Sequence, residues 1–533
     1  MTTSGRQIAR AATLVMALFV VSRLLGLVRQ MIIGAMFGTS GELDAYMAAS
    51  RIPEMIFLVV AGGALGSAFI PTFTSRLTRN GPAAAWRLAS AIVNLVLIVL
   101  TGLAALAAAG APLLVRTVVA PGFSPAQQAL TARLLRVMLL SSVIFGASGV
   151  VMGALNAQQH FLLPALAPSL YNVSIIAGAV LLGRRWGVMG LAVGVTAGAA
   201  LHLAVQVPGL VRHGARYLPV LDLASPDVRE VGRLMAPRVV GTAIAQLNFV
   251  VNNSLASRMG EGAVSAINYA WMLMLLPQGV FAQAVGTAAF PTFAAQAARE
   301  EWTEMRRTLA ATLRGVLFLC LPATVGLVVL AQPLVGVIFE RGAFGSASTE
   351  AVTWAVAFFA LGLAGHAGLE IIARAFYALH DTLTPVWVGG LAVALNIALS
   401  LALPGAFGWV GWPRHAGLAL ANAVATLFEL GLLWALIARR MRGLEGRRTL
   451  IGCARFGLAA LAMGAALVGW QALTARAATL VIGGGGVIVG ALVYLGAAFL
   501  FQAEEPRMLA GLLARSTQRS PSGIAAPGSS PPT

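Results

Sequence analysis

Apolar segments of 18 to 25 residues, each closed by a turn signal or a short charged stretch, follow one another along almost the whole chain. A bilayer's hydrocarbon core is about 30 Å thick and needs roughly 20 apolar helical residues to cross it. Each segment therefore predicts a membrane-spanning helix. About fourteen are expected, near 11–36, 44–70, 88–110, 131–155, 163–183, 187–210, 231–256, 263–290, 308–330, 351–378, 383–403, 415–438, 450–471 and 476–501. The first follows Arg6 and Arg10 but is too long for a secretory signal and lacks a small-residue cleavage site, so it counts as a span. Residues 503–533, ending "RSTQRSPSGIAAPGSSPPT", predict a polar disordered tail.

The pattern repeats. "GSAFIPTF" at 66–73 matches "GTAAFPTF" at 286–293 in five of eight positions, at an offset of 220. "APLLVRTVVAPGF" from 111 parallels "AQPLVGVIFERGAF" from 331, Pro164 parallels Pro385, and "GLA" at 190–192 returns at 417–419. Four matches in order at nearly constant spacing define a unit of six spans. An even number of spans preserves direction, so the copies run parallel, an arrangement typical of secondary transporters with a site between the halves. The expected fold is an all-α polytopic membrane protein with two parallel six-helix lobes, 1–222 and 223–442. Two additional helices follow at 443–502, then the tail at 503–533, which is expected to be cytoplasmic.

Composition changes this picture little. The chain is 59% hydrophobic and 10% charged, against about 25% charged in soluble proteins. Its net charge of +18 does not signal nucleic-acid binding. All basic residues are Arg, and most lie in short loops between spans. With the N-terminus inside, twenty loop and terminal Arg fall on the inner side and six on the outer, which orients both termini to the cytoplasm. Cys320 and Cys453 are isolated in apolar runs and suggest neither a disulfide nor a metal site.

The candidate chemistry is charge within the spans. "SRLLGLVRQMIIGAMFGTSGELDAYMAASRIPEM" carries Arg23, Arg29, Asp44, Arg51 and Glu54 through two apolar segments. Charge at the centre of a membrane helix costs from about 2.5 kcal/mol upward, so such residues face an interior, a partner or water. Asp44 and Arg51, seven apart, share a helical face, and Arg51 and Glu54 have the spacing of a direct pair. Together the set predicts a cationic, water-filled cavity for an anion, with interface snorkelling or helix tying as the plainer alternative. Arg238 follows Pro237 in the seventh span, where Asn248 and Asn252 share a face as cavity-lining groups or helix glue. Glu370 and Arg374 have the spacing of a local ion pair. No P-loop, HExxH, Ser/His/Asp arrangement or acidic cluster is present, so neither enzyme chemistry, a cofactor nor a metal is expected.

These segments also carry a resemblance. "SRLLGLVRQ" leading through "GELDAYMAASRIP" to "GGALGSAFIPTF" closely resembles the start of the MurJ/MviN family, the lipid II flippases of peptidoglycan synthesis. "APGF" at 120–123, "IAQLNFVVN" at 244–252, "LPQGVF" at 276–281 and "FERGAF" at 339–344 extend it over roughly residues 10–500. The resemblance implies two six-helix lobes plus two C-terminal helices in the bacterial plasma membrane. It implies lipid II as the cargo, carried from the inner to the outer leaflet by alternating access among membrane lipids, with an unread coupling ion. On that reading Arg23, Arg29, Arg51 and Arg238 bind the pyrophosphate, and Asp44 and Glu54 gate or orient them. Asn248, Asn252, Glu370 and Arg374 are further cavity candidates, and the last two helices hold the lipid tail. The chain departs from the family pattern at Gln30, Phe57, Gly62 and Met272, where charges are expected. These departures leave export of another polyprenyl-linked glycan or an amphipathic compound, or a non-transporting scaffold, as alternatives.

Overall fold

A computed structural model describes residues 3–60, 64–441 and 443–502. Among the described residues it is helical and contains no strand. The helices of the first lobe are α1 (Thr3–Phe37), α2 (Gly41–Val60), α3 (Ala64–Ala109), α4 (Pro125–Ala157), α5 (Leu162–Trp186) and α6 (Val188–Arg212). Those of the second are α7 (Pro226–Ala256), α8 (Ala263–Ala298), α9 (Trp302–Val329), α10 (Ser346–Ala360 with Leu363–Ala378, bent by 44°), α11 (Leu383–Val410) and α12 (Arg414–Arg440). Two more, α13 (Gly446–Leu473) and α14 (Val481–Leu500), complete the bundle.

The expected spans are compatible with these helices. Among the described residues, eleven helices are apolar and long enough to cross a membrane, or twelve with the bent pair counted as one. The other two are α2, which carries Glu42, Asp44, Arg51 and Glu54, and α7. Residues 61–63 of the segment expected at 44–70 lie outside the described residues; beyond them the helix continues past 70 to the turn at Gly81. Within α3, Gly81 takes φ 80° in open space, turning the chain where "RNGP" interrupts the helix.

Local sequence explains several helix ends. Ser124 caps α4 by accepting from the Gln127 backbone N–H at 3.3 Å, while Gln127 accepts from the Ser124 N–H at 3.2 Å. In the loop before α11, Asp381 accepts from the Thr384 N–H at 3.0 Å and the Thr384 hydroxyl at 2.8 Å, and it pairs with Arg440. The backbone hydrogen bond from Thr384, with the nearby Arg440 charge, holds the Asp381 carboxyl below its ordinary value. A depressed folded-state pKa gives stabilisation that is present above about pH 4 and lost as pH falls through the folded value.

The repeat appears in the packing. α1 packs on α5, α2 and α3 on α4, and α4 and α5 on α6. Six helices later α7 packs on α11, α8 and α9 on α10, and α10 and α11 on α12. Helices α13 and α14 stand outside this scheme, with α13 against α9 and α14 against α13. Leu106, Leu181, Leu401, Leu461 and Leu492 point outward, as apolar residues do against lipid. Where helices meet closely, small residues lie between them. A Cβ on Gly178 of α5 would stand 2.6 Å from the Gly190 carbonyl oxygen and 2.7 Å from the Gly194 Cα of α6. Gly178→Leu is therefore expected to separate α5 from α6 and destabilise the protein by about 3 kcal/mol. A lower Tm of the purified protein in detergent is the check, and an unchanged Tm would contradict the packing.

Candidate functional site

A cavity of 630 Å³ lies between the lobes. Arg29 and Gln30 of α1, Ser50, Arg51 and Glu54 of α2, and Tyr171 of α5 line one side; Gln246 and Phe249 of α7 and Asn268 and Met272 of α8 line the other. Two guanidinium groups face one carboxylate there, so the formal charge favours an anion. Arg29 donates to Asn172 Oδ1 at 2.9 Å. Asn172 is itself fixed by donating to the carbonyls of Pro168 at 3.1 Å and Ser22 at 3.3 Å. Arg51 donates to Glu54 at 3.3 Å, reaches Asn268 of the other lobe, and lies 5.8 Å from the Phe249 ring centroid. Glu54 is half exposed, which leaves its pair with Arg51 weak. The Nε atoms of Arg29 and Arg51 are buried without an acceptor. Buried donors of this kind are expensive unless something accepts from them.

Asp44 does not line this cavity. It is fully buried at the end of the bundle formed by residues 38–44 and 257–265. Its carboxylate accepts from the backbone N–H groups of Gly262 and Ser265, each at 2.7 Å, and from the Ser265 hydroxyl. A carboxylate of the first lobe thus caps the N-terminus of α8 in the second, where unpaired N–H groups and the helix dipole favour negative charge. The contact is reciprocal: Glu261, just before α8, accepts at 2.6 Å from the Gly41 N–H at the start of α2. The 220-residue repeat makes each helix the counterpart of the other. Ala343 N–H to the Ala35 carbonyl at 2.7 Å and Thr39 to Ser348 at 2.9 Å close the same end.

The remaining candidates divide. Arg23 is exposed outside the cavity lining and donates across the lobes to Gln283 at 3.3 Å. Six residues separate it from Arg29, which turns it roughly 120° around α1. Glu370 and Arg374 form the expected ion pair, within the second lobe, beside a separate 450 Å³ cavity with Gln278, His366 and Tyr377. Asn252 donates to Asn248 Oδ1 and to Asn396 Oδ1, both at 3.1 Å, and accepts from Ser400 at 3.1 Å, so it ties α7 to α11. Asn248 and Asn252 also line a 40 Å³ pocket beside Arg51. The side chain of Arg238 and Gly62 lie outside the described residues.

Sequence reasoning missed Asn172, Asn268, Glu261 and Ser265. The first two are single polar residues inside apolar runs, a signal that charge-centred reading passes over. The other two act through contacts with residues more than 200 positions away.

The sequence model of the family described as "Lipid II flippase MurJ" matches residues 33–482. This chain belongs to the MurJ family. Among MurJ relatives, "Lipid II flippase MurJ" of Burkholderia cenocepacia is 32% identical over 444 residues, covering 82% of this chain and 84% of the relative. "Probable lipid II flippase MurJ" of Rhizobium meliloti is 32% identical over 508 residues, covering 90% and 91%. A solved structure titled "Lipid II flippase MurJ, inward closed conformation" superposes with a TM-score of 0.78 at 24% identity, over 95% of this chain and all of that one. An inward-facing transporter of the multidrug resistance MATE family, in the MOP superfamily, follows at 0.68 and 15% identity, over 81% and 98%. Both structural matches bear on the fold. Within this MurJ-family fold, Gln30, Phe57 and Met272 stand on the cavity wall.

Proposed function

We propose that this protein is a transporter that moves lipid II, an undecaprenyl-pyrophosphate bearing a disaccharide-pentapeptide, from the inner to the outer leaflet of the bacterial plasma membrane. The observation that carries this reading is the inter-lobe cavity, where the guanidinium groups of Arg29 and Arg51 outnumber the one carboxylate of Glu54 in a MurJ-family fold. A pyrophosphate supplies further acceptor oxygens for these guanidinium groups, through charge-assisted bonds of about 1.5–3 kcal/mol each. Arg23, outside the cavity lining, guides the headgroup toward it. Glu54 holds Arg51 while the site is empty. Residues 1–222 and 223–442 act as the two lobes, and 443–502 as the groove for the polyprenyl tail.

Both termini lie in the cytoplasm, as the Arg distribution indicates, so the Asp44 clasp closes the outer end and the cavity is served from the inner leaflet. Alternating access then consists of opening the clasp and closing the inner end. The membrane potential contributes about 2.3 kcal/mol per charge per 100 mV to resetting the carrier. The test is complementation of a bacterium depleted of its own lipid II flippase, where the parent chain restores growth. Failure of a properly inserted chain to rescue would favour a second reading, export of a different polyprenyl-linked glycan. Met272 on the second-lobe wall supports that alternative.

A further inference from the structure

Arg51 is held from both lobes. Its own helix supplies Glu54 at 3.3 Å, while the second lobe supplies the Asn268 side-chain oxygen and the Phe249 ring, whose centroid lies 5.8 Å away. Asn268 is aimed. Its amide nitrogen donates to the Val264 carbonyl at 2.8 Å, one turn earlier in α8, which leaves the oxygen facing the guanidinium. Among the described residues that line the cavity, this is the one side-chain hydrogen bond that crosses between the lobes; Arg29 bonds Asn172 within its own lobe. The bond also shares a seam with the Asp44 clasp. Asp44 precedes Arg51 by seven residues on α2, about 10 Å along the helix, and Ser265 precedes Asn268 by three on α8. The same two helices are therefore joined twice, once at the end of the bundle and once at the cavity wall.

We propose that Arg51 and Asn268 form a latch between the lobes that an anionic headgroup releases, with Asn268 the positioning residue that couples headgroup binding to opening of the clasp. This rests on the pyrophosphate reading of the cargo. Anionic oxygens are stronger acceptors for a guanidinium than the neutral amide oxygen of Asn268. A ligand shifts a conformational balance only by binding one state better than the other. In the closed state the headgroup has to take Arg51 from Asn268; once α8 has moved away from α2, Arg51 is already free. That difference favours the open state when the headgroup is bound, and leaves the seam to the clasp alone.

The test is double electron–electron resonance on the full-length protein in nanodiscs, with Cys320→Ala and Cys453→Ala as background. Spin labels at Ala126→Cys and Glu350→Cys, both exposed at the clasp end of opposite lobes, report the separation there. Undecaprenyl pyrophosphate is the probe, and it is expected to raise the open-to-closed ratio of the parent about tenfold. Asn268→Leu removes the acceptor at similar volume. It should raise that ratio about tenfold without the probe, respond little to the probe, and bind it up to about tenfold more tightly, since the coupling is reciprocal. Asn268→Asp sets a charge against Arg51 and should shift the ratio the other way, by about tenfold. Parent-like distances in Asn268→Leu without the probe, an undiminished response in that variant, or shifts of the same sign in both variants would overturn the latch. Probe binding, followed by native mass spectrometry, separates two failures. A parent that binds undecaprenyl pyrophosphate and stays closed overturns the latch alone, whereas a parent that binds none overturns the cargo reading and the latch with it.

Discussion

Arg29→Ala is expected to abolish rescue of flippase-depleted cells while the protein still reaches the membrane in normal amount. Arg29 sits on the cavity wall with one guanidinium nitrogen held by Asn172 and its Nε unsatisfied. Two charge-assisted contacts to a pyrophosphate are together worth about 3 kcal/mol or more, so transport should fall at least about a hundredfold. Arg29→Lys keeps the charge but loses the planar fork and the bond geometry to Asn172, and should recover only part of the activity. Equal growth supported by the parent and Arg29→Ala, at matched protein levels, would remove Arg29 from the substrate site. Asn172→Ala should weaken rescue less, because Asn172 only aims the guanidinium.

The second large effect is expected at the clasp. Asp44→Asn keeps the side chain's shape but replaces the charged acceptor of three hydrogen bonds with a neutral amide that presents one oxygen. The loss is about 3 kcal/mol from the state in which α2 and α8 are joined, a shift of roughly a hundredfold toward states with that end open. A cysteine introduced at Ser50, on the cavity wall, reports this through labelling by an impermeant maleimide added outside. The background would lack Cys320 and Cys453. Labelling should accelerate in Asp44→Asn, and an unchanged rate would show that the clasp does not set access. Glu261→Gln removes the reciprocal contact and should act in the same direction, though less, since Glu261 accepts one backbone N–H at the start of α2.

Much of the fold was legible because membrane spans are long, uniform in polarity and marked by charge at their ends. The 220-residue repeat was legible because two lobes of the same design preserve turn and proline positions. The expected end of the second span at 70 shows the limit, since no charge falls before Arg76 and the helix runs on to the turn at Gly81. The candidate site was half legible. Arg29, Arg51 and Glu54 stood out because charge in an apolar segment requires a reason, and all three line the inter-lobe cavity. Arg23 stood out equally, but one difference of helical phase directs it elsewhere. Asp44 was grouped with the cavity charges through its seven-residue spacing to Arg51. That spacing fixes a shared face and says nothing of what the face meets at each depth.

By itself, the sequence determined that the chain crosses the membrane many times, that its two halves are parallel copies, and that its costly charges concentrate at the start of the first. Hydrophobic length, repetition and the price of intramembrane charge are properties of the chain alone. The tertiary structure decided which charges share a cavity and which carboxylate closes the lobes. Arg29 with Asn172, Arg51 with Asn268 and Asp44 with Ser265 are 143, 217 and 221 residues apart. Pairings at that range depend on how whole helices pack, and no local pattern encodes them.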